Sequence, residues 1–175
     1  MRALSEAYRA GAGTPFEWWP TLGYDRQPYA SVVAGPWALA AGPNGVQIGV
    51  FGWADPKTGA VSNTRIAGGQ FGFVLPVIGM YNWQRVFPQP PATGCGPPAL
   101  MLRAGMQCVL AAAGDFLTRF ALGAQAGQQV FADPVTGAAY GGNPGGAVAT
   151  QWTVMQNACG CNALLRISSF AKPFN

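Results

Sequence analysis

The chain of 175 residues contains no histidine. That absence excludes nucleophile triads of the Ser-His-Asp and Cys-His kinds, in which imidazole carries the proton. Carboxylates are almost as scarce, with six Asp and Glu in all. Asp55 and Asp133 fall in turn motifs, Glu6 and Glu17 lie near the N-terminus, and Asp25 and Asp115 have no partner that sequence spacing supplies. A paired-carboxylate hydrolase is the one enzymatic arrangement left open. No G-x-x-x-x-G-K-[ST] run occurs, nor a strand followed by G-x-G-x-x-G opening a helix, so phosphate-cradling loops have no support. The expectation is a protein that is not an enzyme and takes no cofactor.

Charge is the next shortage. Charged residues make up 9% of the chain, against about 25% in an average soluble domain. The ten Lys and Arg stand singly, without the clustered basic patch that marks nucleic-acid binders, so no nucleic-acid partner is expected. Long apolar runs are missing too. The longest, Phe71 to Met80, holds two Gly and a Pro and falls short of the roughly 20 residues of a membrane helix, so no membrane partner is expected. The N-terminal Met1-Arg-Ala-Leu-Ser-Glu-Ala-Tyr-Arg lacks the apolar core of a signal peptide, which implies folding in the compartment of synthesis. In a reducing compartment Cys95, Cys108, Cys159 and Cys161 are expected as ordinary thiols. The Cys159-Gly-Cys161 spacing is too tight for a zinc knuckle, so no metal is expected.

Glycine and proline, by contrast, are abundant, at 25 and 15 residues. Both depress helix content, and here they punctuate short runs of Val, Ile, Phe, Trp and Leu, the pattern of many strands joined by turns. The length suits one domain. The expected fold is mainly β, with an extended N-terminal arm. The arm covers residues 1–30 and the β domain 31–175. Ala3 to Ala10 has the composition for two helical turns, after which Gly and Pro interrupt any regular element. The arm carries Phe16, Trp18, Trp19, Tyr24 and Tyr29 among those breakers. Rings at that density need burial, either on the chain's own core or on a neighbour, and composition does not separate the two.

From Ser31 onward, apolar runs alternate with turn signals. A strand is expected from Val46 to Trp53 after the turn Gly42-Pro43-Asn44-Gly45. The phrase Ala54-Asp55-Pro56-Lys57-Thr58-Gly59-Ala60 returns as Ala132-Asp133-Pro134-Val135-Thr136-Gly137-Ala138, preceded each time by an aromatic, Trp53 or Phe131. Asp begins such a turn with its side chain, Pro fixes φ and Gly supplies the left-handed residue. Either the chain holds two equivalent corners of a pseudo-symmetric fold or the same turn chemistry arose twice. Ala99 to Leu122 has helical composition, but Gly105 and Gly114-Asp115 break it at strand length. Phe116, Thr118 and Phe120 alternate with their neighbours, so strands are expected. The Pro-rich insertion from Phe87 to Pro98 and the Gly-rich stretch Ala138 to Gly146 are expected as loops, and Ala163 to Phe170 as the last strand.

The ordered series Ser31-Val-Val-Ala-Gly, Val46-Gln-Ile-Gly-Val-Phe-Gly-Trp-Ala-Asp and Gly59-Ala-Val-Ser-Asn-Thr resembles the bacteriophage structural cement, or head decoration, proteins. The likeness continues through Gly72-Phe-Val-Leu-Pro, Arg103-Ala-Gly-Met-Gln-Cys-Val-Leu, Ala113-Gly-Asp-Phe and Gly127-Gln-Gln-Val-Phe-Ala-Asp, so that it covers roughly residues 30–170. The aromatic arm and the insertion 88–98 depart from it. The resemblance implies a jelly-roll-like or related β-sandwich or barrel, and a capsid decoration protein on the outer surface of a tailed-phage head, made and assembled in the host cytoplasm. Its implied partners are the major capsid protein and further copies of itself, as a dimer or trimer. The expected interface residues are Phe16, Trp18, Trp19, Tyr24 and Tyr29 of the arm, with Tyr81, Trp83 and Phe87 as a second segment. A different class of function, a virion-surface carbohydrate-binding β-sandwich, would use Trp18, Trp19, Trp37, Trp53, Trp83 and Trp152 as sugar platforms.

Overall fold

A computed structural model describes residues 30–31, 38–76, 86–89, 99–160 and 163–170. Every regular element among them is a strand. In chain order these are β1 (Ala30–Ser31), β2 (Ala40–Ala41), β3 (Val46–Gln47), β4 (Phe51–Ala54), β5 (Ala60–Ser62), β6 (Gln70–Pro76) and β7 (Val86–Gln89). They continue as β8 (Ala99–Leu102), β9 (Cys108–Ala113), β10 (Asp115–Phe120), β11 (Gln129–Ala132), β12 (Ala139–Gly141), β13 (Val148–Val154) and β14 (Ala163–Ser168). The fold is mainly β, in barrel form.

Two five-stranded units of one topology follow each other along the chain. In the second, β10, β12, β11, β13 and β14 close into a barrel. In the first, β9, β6, β4, β5 and β2 lie in the corresponding order, and the sheet curls until Ala40 bridges Gln107 and the Cys108 N–H donates to the Leu39 carbonyl at 3.0 Å. Each unit has one parallel pair, β2 with β5 and β10 with β12. The registers match as well. Trp53 faces Ser62 and Ala54 faces Val61, as Phe131 faces Tyr140 and Ala132 faces Ala139. Gln70 opposite Ala54 corresponds to Val148 opposite Ala132. A bulge between Gln129 and Phe131 in the β11/β13 ladder then shifts the second unit.

The repeated phrase makes the same turn in both units. The Asp55 carboxylate accepts from the Lys57 N–H at 2.8 Å and the Asp133 carboxylate from the Val135 N–H at 2.8 Å. Gly59 and Gly137 close the turns at φ of 72° and 71°, where a side chain would be strained. The turns are thus equivalent corners of a duplicated architecture, the first of the two readings open from sequence.

Equivalent ladder positions fill the two interiors with different volumes. Ala41, Ala54, Val61, Val74, Cys108 and Leu110 cluster in the first unit, beside Val46, Ile48, Leu100 and Leu102 from β3 and β8. The second uses Phe120, Ala132, Ala139, Val154, Leu165 and Ile167 at the matching places. Ala41 in place of Phe120 leaves room for the β3 and β8 side chains, as close packing requires. A three-stranded sheet of β3, β8 and β7 therefore belongs to the first unit.

Three expected boundaries shift. The strand expected over Val46 to Trp53 divides at Gly49, whose φ of 75° turns the chain; β3 then pairs with β8 while β4 pairs with β6. The Pro-rich insertion is not loop from its start, because Val86–Gln89 forms β7 with Pro88 opposite Leu100, a strand on the sheet's edge, where a missing N–H is tolerated. Ala139–Gly141, expected within a loop, is β12, paired to β11 and β10 through backbone groups that even glycine supplies. The segment expected as strands holds β8, β9 and β10, broken at Gly105 and Gly114.

Candidate functional site

The units meet along an aromatic seam. Phe73 stacks on Phe116 with ring centroids 4.7 Å apart, and Trp152 lies 5.4 Å from Phe51 and 6.4 Å from Phe71. The Trp152 indole N–H donates to the Gly114 carbonyl at 3.1 Å, so its one polar atom is satisfied in the core. Backbone links fasten the same junction: the Phe51 N–H donates to the Gly137 carbonyl at 2.9 Å and the Arg65 N–H to the Pro134 carbonyl at 2.7 Å. The Thr118 hydroxyl, fully buried, donates to the Gly49 carbonyl at 2.7 Å. Beside the seam lies a shallow depression of about 270 Å³ lined by Phe71, Ala112, Ala149, Thr150, Gln151 and Trp152. The Gln151 amide reaches across to the Ala112 carbonyl. No ionisable group lines the depression.

The acids described are occupied structurally. The backbone N–H of Lys57 holds the Asp55 carboxyl below its ordinary range, against partial desolvation and with help from the Thr58 hydroxyl. At Asp133 desolvation pushes upward, but the N–H groups of Thr136 and Val135 and the Thr136 hydroxyl together bring the carboxyl down. Asp115, for which spacing supplied no partner, is paired with Arg166 at 2.6 Å across the β10/β14 ladder. Sequence distance hid this pair, because antiparallel strands join residues far apart in the chain. Among the described residues no group of three or more His, Cys, Asp and Glu is placed to hold a metal ion.

The cysteines described are two free thiols, Cys108 buried and Cys159 exposed. Burial pushes the Cys108 thiol up to about 12, so it stays protonated and inert. A thiol reagent at neutral pH is expected to reach Cys159 sooner than Cys108, which it modifies only after unfolding, read by peptide mass mapping. Equal rates at the two would contradict Cys108's place in the first barrel's interior.

Of the interface residues expected from sequence, Phe16, Trp18, Trp19, Tyr24, Tyr29, Tyr81 and Trp83 lie outside the described residues, as do the helical turns expected over 3–10. Phe87 belongs to β7, opposite Met101. Trp53 and Trp152, counted among the sugar platforms, are 3% and 1% exposed; both are core residues with no face to offer a ring of sugar.

The model of the XM1 gp53 minor capsid protein family matches residues 24–169, the span that holds both barrels. The chain belongs to that family. It is a minor capsid protein, a structural component of the phage virion that associates with the capsid. No curated protein shows significant similarity to it. What sequence reasoning missed in this minor capsid protein is the end of the second barrel. There Leu122 and Met155 are 59% and 39% exposed, and the signal available was the two uncharged stretches, residues 120–132 and 134–165, that contain them.

Proposed function

We propose that this minor capsid protein is a decoration, or cement, protein. It binds the outside of the head where capsomers meet, contacts the major capsid protein, acts as a dimer or trimer, and catalyses nothing. Nucleic acid and membrane play no part in it. The family match over residues 24–169 carries the reading. The low charge and the aromatic arm support it, since interface cores replace Lys and Glu with aromatic residues. Packaged DNA strains the joints between capsomers. A clip touching more than one subunit makes each later contact intramolecular, so modest contacts suffice.

The arm is the adhesive in this reading, with Trp18 and Trp19 at its centre. The test is a titration of wild type and the Trp18→Ala/Trp19→Ala double variant onto purified undecorated heads, with circular dichroism and melting curves alongside. Interface tryptophans that act as hot spots contribute at least about 2 kcal/mol each. Hot-spot losses are not additive, so the variant is expected to stay folded and to need at least roughly 30-fold more protein for equal occupancy, the equivalent of one such residue. A folded variant that binds as well as wild type moves the adhesive to Tyr81–Phe87. Failure of the wild type to bind intact heads sinks the decoration role altogether.

A further inference from the structure

The charge of this chain is unevenly placed. Of its ten Lys and Arg and six Asp and Glu, Asp133 alone falls between Phe120 and Leu165, and Asp133 sits in the turn against the first barrel, within reach of the junction that joins Pro134 to Arg65. The opposite end of the second barrel is built from three stretches, residues 121–128, 141–146 and 155–160, and none of them holds a charged residue.

These stretches are knitted into one surface. Ala124 and Ala158 exchange backbone hydrogen bonds of 3.0 and 2.9 Å, and the Ala126 N–H donates to the Asn157 side chain at 2.7 Å. The Gly142 N–H donates to the Gln129 carbonyl at 3.0 Å, and a Cβ at Gly141 would meet the Ala124 Cβ and the Gln128 amide oxygen, so the middle stretch is seated against the first. The surface is amide, glycine and small side chains around Leu122 and Met155. Those two are half of the four large hydrophobics exposed among the described residues.

We propose that this end is a contact surface between two copies of the chain. A surface free of charge can be desolvated without stranding an ion, and charge depletion marks the buried centre of interfaces. The partner is indicated by charge balance. The described charges of the second barrel balance, Asp115 and Asp133 against Arg119 and Arg166, whereas the first unit sets the exposed Lys57, Arg65 and Arg103 against Asp55, so a contact between first units opposes net positive charge. Meeting end to end through the second barrels sets two neutral surfaces together and carries the basic units to the outside. One patch on both subunits is an isologous contact, closed by a twofold axis.

This deepens the oligomeric clip proposed above, but its test uses free protein and no capsids, so the two readings fail separately. Sedimentation equilibrium at micromolar concentrations is run on wild type, Leu122→Lys, Met155→Lys and Val135→Lys. Val135, 65% exposed, lies at the other end of the barrel and controls for added charge. The wild type and Val135→Lys should sediment as the same dimer. The two end variants should dissociate with a constant raised at least about tenfold, with unchanged melting curves. Since both end residues are solvent-exposed, either variant alone is informative if the other misfolds. A monomeric wild type overturns the proposal, as do end variants that dimerise like wild type or a Val135→Lys equally weakened.

Discussion

Replacing Trp152 by alanine is expected to lower stability by about 3–5 kcal/mol, the range for truncating a large buried aromatic. Trp152 is the largest fully buried side chain among the described residues, and it touches aromatics of both units. Its loss opens a void at the seam that a rigid pair of barrels cannot collapse to fill, and it leaves the Gly114 carbonyl without the indole N–H. Trp152→Phe separates these effects: it keeps most of the apolar volume, loses the hydrogen bond, and should cost less than the alanine variant. Urea denaturation followed by circular dichroism measures both, with an unchanged m-value as the sign that the loss lies in stability rather than in the extent of unfolding. A loss under about 1 kcal/mol for Trp152→Ala would mean that the seam is not part of the cooperative core.

That dependence on one residue explains which parts of the fold were legible in the sequence. Turns were legible because their chemistry is local. Asp55 and Asp133 hold the N–H groups two and three residues on, so the phrase is readable without knowing what lies around it. The mainly-β class and the breaks at Gly105 and Gly114 followed from the same local rules. Long-range facts were not legible. The Asp115–Arg166 pair, the division of Val46–Trp53 between two sheets, and the burial of Trp53 and Trp152 all depend on which strand lies beside which. Periodicity constrains which residues share a face, but it does not name the neighbour on that face. The neutral end of the second barrel was written in the chain as two runs without charge, on either side of Asp133. Its meaning required knowing that three separate stretches of those runs close on one another.

The turn glycine Gly137 gives the second large prediction, because its turn bears directly on the first barrel. Gly59 and Gly137 have φ within a degree of each other, 72° and 71°, so Gly→Val carries the same intrinsic strain at both, roughly 1–2 kcal/mol for a side chain held in the left-handed region. At Gly137 a second cost is added. A Cβ there would collide with the Phe51 carbonyl oxygen, an atom of the first unit's backbone, and would press on the Asn63 Cβ at 3.4 Å. Neither neighbour yields easily, since the Asn63 side chain is itself bound to the carbonyls of Gln47 and Phe51. The second turn must then lift from the first barrel, straining the Phe51 N–H to Gly137 carbonyl link at 2.9 Å and the Thr64 hydroxyl to Val135 carbonyl link at 2.9 Å. Each is a hydrogen bond worth about 1 kcal/mol net, and more if a buried group is left unpaired. Gly137→Val is therefore expected to lose at least about 3 kcal/mol, more than the intrinsic strain that it shares with Gly59→Val. Melting curves of the two variants and wild type decide it. A loss at Gly137 no larger than the intrinsic strain would show that the second turn does not bear on the first barrel, and no loss at either site would remove the left-handed turn assignment from both.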